Sequence, residues 1–477
     1  MKKITYHICL AASIVFVLFS CTEDFIDVES TEETEEALTV DKAIELVNAV
    51  YNPYLDWGMS SFAWIGISSI TSDDADKGSD PGDTGTDKDK MDALTFDATS
   101  LSFKDVWTAH YNCIQRANQA ISRLTLFESL DENLRNRLIG EAKFLRALTY
   151  FRLVKMFGGV PLIAKIPDSN TDPDDFLKKA TKEAVYIQIE EDLNEAIAAL
   201  PLKSEYPNAE LGRATKGAAQ TLLAKVSMYQ GKWQQVKDLT DDVILSLEYD
   251  LTPNYEDIWK ESGENNIESI FEIQATAAPV AAGIDGYSVT QGARGEGGWG
   301  WGFNTPTQDL IDSYETNDLR REATVIYRGE TLFDGREVPN TVNNEYYNQK
   351  AYTSAFSDAW VTGKNLRILR FAEVLLMNAE AATQVGGDVA TPLNRVRKRA
   401  GLDNAVTTDQ QAVWNERRWE LAFEHDRYFD LVRQGRAGTV LRAHGKPFVD
   451  GKHEVFPIPQ EQIDKSDGKL LQNNKYN

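Results

Sequence analysis

Apolar residues recur at helical spacing along most of this 477-residue chain and at strand spacing almost nowhere. Between 41 and 54, Ala43, Ile44, Val47 and Val50 fall three and four residues apart, the stripe of an amphipathic helix that Pro53 would end. A second helix is predicted over about 103–124, with Val106, Trp107, Tyr111, Ile114, Ala117 and Ile121 on one face. The third, 133–157, is more heavily apolar. Lys143, Arg146, Thr149, Arg152 and Lys155 recur at every third position there, and nearly everything between them is hydrophobic, so most of its circumference should be covered. Gly158-Gly159 stops it, and Val160-Pro161-Leu162 leaves as extended chain.

Val185, Ile189, Leu193 and Ile197 mark a helix over 182–200, closed by Pro201. Two helices follow around a tight glycine turn, 215–230 and 234–247, and the run from Leu222 to Trp233 resembles the helix-turn-helix of a tetratricopeptide repeat. A second pair is predicted at 366–384 and 390–400, around Val385-Gly386-Gly387. Pairs of this kind stack side by side, so the predicted class is mainly α: tetratricopeptide-like pairs forming an α-solenoid frame. From about 250 to 360 the texture changes. Ile270 to Gln274 reads as a strand, glycine crowds 283–302, and Tyr346, Tyr347 and Tyr352 follow. That stretch is predicted to be loops and short helices, a large irregular insertion within one domain spanning 41–477.

The N-terminus bears on location. Lys2-Lys3 precede an apolar run from Ile8 to Phe19 that is too short to cross a bilayer, and Leu18-Phe19-Ser20 lead into Cys21. This order predicts a signal peptide over 1–20 whose removal exposes Cys21 for lipid attachment. Residues 21–40, with Glu23, Asp24, Asp27, Glu29, Glu32, Glu33, Glu35 and Glu36, then form an acidic, solvated tether. The formal net charge of −24 and the lack of a basic patch exclude a nucleic-acid partner and leave neutral ligands as the natural ones. With Cys9 in the signal and Cys21 lipidated, Cys113 stands alone, so a large core must supply the stability that disulfides do not.

Candidate chemistry begins with tryptophan. Trp57, Trp64, Trp299, Trp301 and Trp360 lie in loop-like sequence, where a large apolar ring is costly to expose unless it meets a ligand or the core. Gly295 to Gly300 matches the dinucleotide fingerprint GxGxxG in form, but Trp301-Gly302-Phe303-Asn304-Thr305-Pro306 follows where a helix should open. Those glycines are better suited to folding a loop closely and presenting Trp299 and Trp301. Over 71–90, Asp73, Asp74, Asp76, Asp80, Asp83, Asp87 and Asp89 suggest calcium, yet their spacing fits no EF-hand and Lys77, Lys88 and Lys90 offset part of the charge. A solvated loop is expected there. Asp168 to Asp172 starts like a calcium loop and lacks its glycine and terminal glutamate. His110, His425, His444 and His453 have no metal-binding spacing, and neither GxSxG nor HExxH occurs, so no catalytic residue and no metal ligand is predicted.

Several segments together resemble the SusD/RagB family of outer-membrane nutrient-binding lipoproteins. They are Glu141 to Phe151 with Gly158-Gly159-Val160-Pro161-Leu162, Gly212 to Lys216, Ile368 to Leu376, Asn415 to Glu424, Arg427 to Leu431, and Phe456-Pro457-Ile458-Pro459 ahead of Asn473. They occur in the family's order and cover nearly the whole chain beyond the leader. The resemblance implies a non-catalytic protein whose irregular segments form a glycan-binding face, held at the outer membrane by its lipid and facing the exterior. It also implies a partner, a TonB-dependent SusC-like transporter to which oligosaccharide is delivered. A ligand-blind structural lid of that transporter and a surface glycoside hydrolase are the rival readings. Two loop regions, about 57–89 and 283–303, correspond to the family's ligand surface. Trp57, Trp64, Trp299, Trp301 and Tyr287 are the candidates for stacking on sugar rings, and Asp73, Asp74, Asp76, Lys77 and Arg294 for reaching hydroxyls. Arg417, Arg418, Glu420 and Glu424 are expected to serve structure, through ion pairs three and four residues apart and by pinning nearby loops.

Overall fold

The computed structural model describes residues 39–476 apart from 81, 84–85, 168–171, 277–281 and 355–359. The expected signal peptide, Cys21 and the tether up to residue 38 lie outside the described residues, as does most of the run from Asp168 to Asp172. Residues Asp41–Asn477 form one unit.

Helix α1 (Val40–Tyr51) gives way at Pro53 to a single 3-10 turn, Asn52–Leu55. The frame continues with α2 (Leu101–Leu126), α3 (Glu132–Phe157), α4 (Lys182–Ala199), α5 (Lys216–Tyr229) and α6 (Trp233–Leu245). After the insertion come α7 (Phe371–Val385), α8 (Ala390–Arg399) and α9 (Gln410–Leu421). From α2 through α7 each helix packs on the next, and α7 also meets α8 and α9, which is the serial stacking of a solenoid. Starts are fixed by side-chain caps: Asp131 accepts from the Leu134 amide at 3.0 Å, Thr181 from Ala184 at 3.2 Å, Thr215 from Ala218 at 3.0 Å and Asp409 from Ala412 at 2.8 Å. Each such cap contributes about 1 kcal/mol.

Helix α3 packs on both α2 and α4 and buries 17 of its 26 residues, Arg146, Thr149 and Arg152 of its polar stripe included. Arg146 binds Asp192 of α4 through two contacts of 2.6 and 2.8 Å, and Arg152 donates to the Met59 carbonyl at 2.9 Å. The third-residue spacing that marks a solvated face in a shorter helix here marks the seam where the frame holds its neighbours.

Four two-stranded antiparallel ribbons occur among the described residues, each with at least one strand from the insertion. These pair β1 (Ala75–Gly78) with β4 (Phe303–Pro306), β2 (Ser269–Ile273) with β8 (Leu366–Arg370), β3 (Ile284–Asp285) with β7 (Val361–Thr362), and β5 (Val325–Tyr327) with β6 (Tyr346–Asn348). The helix expected over 366–384 therefore starts five residues late. Leu366–Arg370 is strand, because its backbone completes the pairing that Ser269–Ile273 requires, and the chain turns helical only at Phe371.

The loop expected to be solvated at 71–90 is instead partly internal. Residues 71–75 are buried, and Asp73 and Asp74 meet arginines from the far end of the sequence. Arg427 binds Asp73 at 2.6 and 2.8 Å, and Arg418 binds Asp74 at 2.7 Å and Asp309 at 2.6 Å. Among the described residues no group of three or more His, Cys, Asp and Glu side chains is placed to hold a metal ion. The 415–424 segment also differs from its expected role. Its charges pin other segments as foreseen, but not through pairs along one helix. Arg417 reaches Asp430, Glu420 reaches Arg320, Arg370 and Arg399, and Glu424, beyond the end of α9, reaches Arg370 and Lys350.

Three buried histidines give the fold a pH dependence of definite sign. Burial foremost, then neighbouring Arg152, lowers His110 to about 3 and His425 to about 4, and burial lowers His453 to about 4. A group held neutral in the fold contributes stability in full above its unfolded pKa of about 6.5 and loses it as pH falls toward the folded value. The urea midpoint is therefore expected to fall between pH 6.5 and 4, at roughly 3 kcal/mol each for His110 and His425 when fully expressed and less for His453. A midpoint that stays level over that window would contradict this.

Candidate functional site

The short helix Trp57–Ser60 lies against α2 so closely that a Cβ on Gly58 would come within 2.6 Å of the Asp105 carbonyl oxygen and 2.8 Å of the Ala109 Cβ. Only glycine permits this approach, and it sets where Trp57 emerges. A second glycine meets the same ring from across the sequence. Gly286 has φ +76°, its amide donates to the Trp360 carbonyl at 2.8 Å, and a Cβ there would sit 2.9 Å from the Trp57 ring.

The glycine-rich tract is held by backbone hydrogen bonds. Trp299 and Gly300 both donate to Ala293, Trp301 donates to Val289 at 2.7 Å, and Gly302 donates to Gly292 at 2.9 Å. Its two tryptophans diverge. Trp301 stands 5.8 Å from Trp57, 6.1 Å from Phe62 and 4.8 Å from Trp360, centroid to centroid, with tilts of 56° and 57° to the two tryptophans. Phe62 in turn meets Phe303 edge-on at 4.8 Å. Trp57, Phe62 and Trp301 are half-buried and Trp360 is 49 % exposed, so together they form an open, folded aromatic ledge. Trp299 turns the other way. One side of it lies on Gly292, where a Cβ would be 2.7 Å from its ring, the Arg336 guanidinium sits 4.8 Å from its centroid, and Tyr352 closes at 5.4 Å.

Of the ten candidates named from sequence, the structure brings Trp57 and Trp301 together and places most of the others in structural roles. Trp64 is 3 % exposed and lies beneath Arg152 at 4.5 Å and beside Phe429, so it is core and offers no stacking face. Tyr287 is buried, its hydroxyl 3.1 Å from His425 Nε2, while His425 Nδ1 meets the Ser68 hydroxyl at 3.0 Å. Asp73 and Asp74 are enclosed with Arg427 and Arg418. Burial opposes ionisation of Asp73, but Arg427 foremost and then Arg418 hold its carboxyl well below the usual range. Lys77 is buried and bound to Asp89 at 2.7 Å. Arg294 is bound by Asp83 and by Ser79 at 2.7 Å. Asp76 is exposed, opposite Thr305 on the ribbon that carries Phe303.

Two rings and an acidic pair of the ledge lie outside the candidates read from sequence. Trp360 had been noted as a loop tryptophan, whereas Phe62 is an ordinary hydrophobic residue beside Ala63 and Trp64 and gives no signal by itself. The third contribution is acidic. Asp56, exposed and adjacent to Trp57, has its carboxyl raised by partial burial and by the charge of Asp285, against the opposing pull of Arg116. Asp285 is on β3, opposite Val361 and thus one residue from Trp360 in the pairing. A ledge of tilted rings with carboxylates at its edge suits a ligand that has both an apolar face and a hydroxyl rim. A cleft of about 600 Å³ between α2 and the segment 161–177 shares no residue with it.

The fold is thus a helical-repeat frame carrying an aromatic ledge, with Trp57 and Phe62 drawn from the segment after α1 and Trp301 and Trp360 from the insertion. The chain belongs to the SusD family. Residues 267–476 match the SusD family profile, and residues 24–228 match a profile described as starch-binding, associating with outer membrane. Among solved structures, a laminarin-binding SusD-like protein is 31 % identical with a TM-score of 0.78, the match covering 91 % of this chain and 99 % of the other. The surface glycan-binding protein A of Bacteroides thetaiotaomicron, in complex with laminarihexaose, is 26 % identical with a TM-score of 0.79 over 91 % and 99 % of the two chains. The SusD-like protein P2 of Formosa agariphila is 27 % identical over 439 residues, 83 % of this chain and 85 % of that one.

Proposed function

We propose that this protein captures oligosaccharides at the cell surface on the ledge of Trp57, Phe62, Trp301 and Trp360 and delivers them to a TonB-dependent SusC-like transporter in the outer membrane. The observation that carries the reading is the ledge itself. Its rings are drawn from segments some 60 to 300 residues apart, yet they converge at 4.8 to 6.1 Å while one of them stays half exposed. A purely structural cluster of this size would be expected to sink into the core. Sugar C–H faces stack on Trp301 and Trp360, and Asp56 and Asp285 accept from hydroxyls at the rim. Kinship with the laminarin-binding and laminarihexaose-bound proteins makes a neutral glucan the first ligand to try. Lipidation of Cys21 ties residues 21–40, and with them the domain, to the membrane, with the exterior as the side faced.

Titration of the full chain in detergent against a panel of oligosaccharides, laminarihexaose included, is the test. The expected result is saturable binding to at least one glycan with no new reducing ends. Binding to none would leave the ligand-blind lid as the better reading.

A further inference from the structure

The ledge carries information about ligand charge as well as ligand shape. Asp56 is solvent-exposed beside Trp57, and Asp285 lies in the two-residue strand that holds Gly286 against the Trp57 ring and pairs beside Trp360. The two carboxylates are close enough for the charge of Asp285 to disfavour ionisation of Asp56. The cations nearby are already engaged. Lys88, 3.9 Å from the centroid of Phe62, is buried and bound to Asp87 at 2.8 Å and Ser102 at 2.7 Å. Arg294 is taken up by Asp83, and Lys77 by Asp89. Arg116, whose charge acts on Asp56 more strongly than that of Asp285, is directed by neutral acceptors, Asn112 Oδ1 at 3.1 Å and the Ala49 carbonyl at 3.2 Å, and leaves the pair of carboxylates with one cation between them.

A glycan lying on these rings therefore meets Asp56 and Asp285 at the edge, while Lys88, Arg294 and Lys77 are held by carboxylates of their own. We propose that the ledge selects uncharged glycans and rejects chains bearing uronate or sulfate groups, with Asp56 and Asp285 as the residues that discriminate. This rests on the glycan-binding reading and adds the ligand class to it. The physical cause is Coulombic: an anionic sugar substituent would be brought to within a few ångströms of two like charges at a partly desolvated surface, where screening is incomplete. The excess negative charge of the whole chain acts in the same direction.

Matched pairs make the test independent of glycan shape. Laminarin, starch and mannan oligosaccharides, each alongside its counterpart oxidised to the uronate at C6, are titrated against the full chain and against the Asp56→Asn, Asp285→Asn double variant at low and high salt. The expected result is that the neutral member of whichever pair binds does so at least about tenfold more tightly. That ratio is expected to shrink to about threefold or less in the double variant and to narrow in high salt. Equal affinity within a pair, preference for the oxidised member, or a ratio unmoved in the double variant overturns the inference and leaves glycan binding standing. Binding to no member of the panel overturns both.

Discussion

Replacing Trp301 with alanine is expected to weaken glycan binding about thirtyfold, while Trp299→Ala leaves affinity within about threefold. The two residues share a glycine-rich tract and differ only in where their rings go. Trp301 is the hub of the ledge, touching Trp57, Phe62 and Trp360, so its removal deletes one stacking surface and unsupports the others. Truncation of a central tryptophan at a binding surface typically costs about 2 kcal/mol or more, which is a factor of about thirty in Kd. Trp299 is half-buried too, but it is flanked by Gly292, Arg336 and Tyr352 and packs on the small cluster of Ala293, Ile326, Leu332, Val338, Val342, Tyr347 and Tyr352. Its loss should appear as roughly 3 kcal/mol of stability, read as a lower urea midpoint. Calorimetric titration of both variants with the glycan that wild type binds separates the two effects. The reverse order, with Trp299→Ala the weaker binder, would mean that the ligand surface lies on the Tyr352 side.

The frame was legible because each helix carries its own stripe, and a stripe is local information. The Leu366–Arg370 strand was not, since Leu366 to Leu376 is a largely apolar run, interrupted only by Arg367, Arg370 and Glu373, in which strand and helix look alike, and its partner, Ser269–Ile273, lies nearly a hundred residues away. The site divides along the same line. Trp57 and Trp301 stood out as large rings in loop sequence, and the structure joins them. Asp73 and Asp74 stood out equally as oxygen-rich loop residues, but what neutralises them is Arg427 and Arg418, about 350 residues further on. Trp64 and Tyr287 failed as candidates for a related reason. Whether an aromatic residue in irregular sequence faces solvent depends on what packs over it, and here Arg152 comes from α3 and His425 and Phe429 from the segment beyond α9. Sequence thus identifies residues that need a partner; it does not say whether the partner is a ligand or the rest of the chain.

Glu420→Gln is expected to be the most damaging single conservative change, at about 3–5 kcal/mol, although the side chain keeps its shape and touches no ligand. Glu420 is fully buried and its carboxylate receives Arg370 at 2.6 Å, Arg320 at 3.2 Å and Arg399. Burial penalises its charge, but Arg399, Arg370 and Arg320 more than offset this and hold it well below the usual carboxylate range. The arginines have other partners: Arg320 has Asp318 at 2.7 Å and Glu416 at 2.6 Å, and Arg370 and Arg399 share Glu268 at 2.7 and 2.8 Å. None of these can move to fill the vacated position, because all are themselves buried, so neutralising Glu420 takes the one carboxylate shared by all three arginines away and leaves buried guanidinium groups short of a charged acceptor in a low-dielectric interior. The network joins the insertion, through Glu268, Asp318 and Arg320, to Arg399 of α8 and Glu420 of α9, so its failure should release the insertion from the frame before the frame melts. Hydrogen exchange is the discriminating measurement. In Glu420→Gln, protection is expected to drop first across 268–273 and 318–327, with α3 and α5 following only at higher urea. Glu45→Gln serves as the contrast. Its partner Lys42 stands 4.0 Å away and both side chains are more than half exposed, so that change should cost about 0.5 kcal/mol or less. A loss below about 1 kcal/mol at Glu420 would show that the surrounding carboxylates balance the arginines without it.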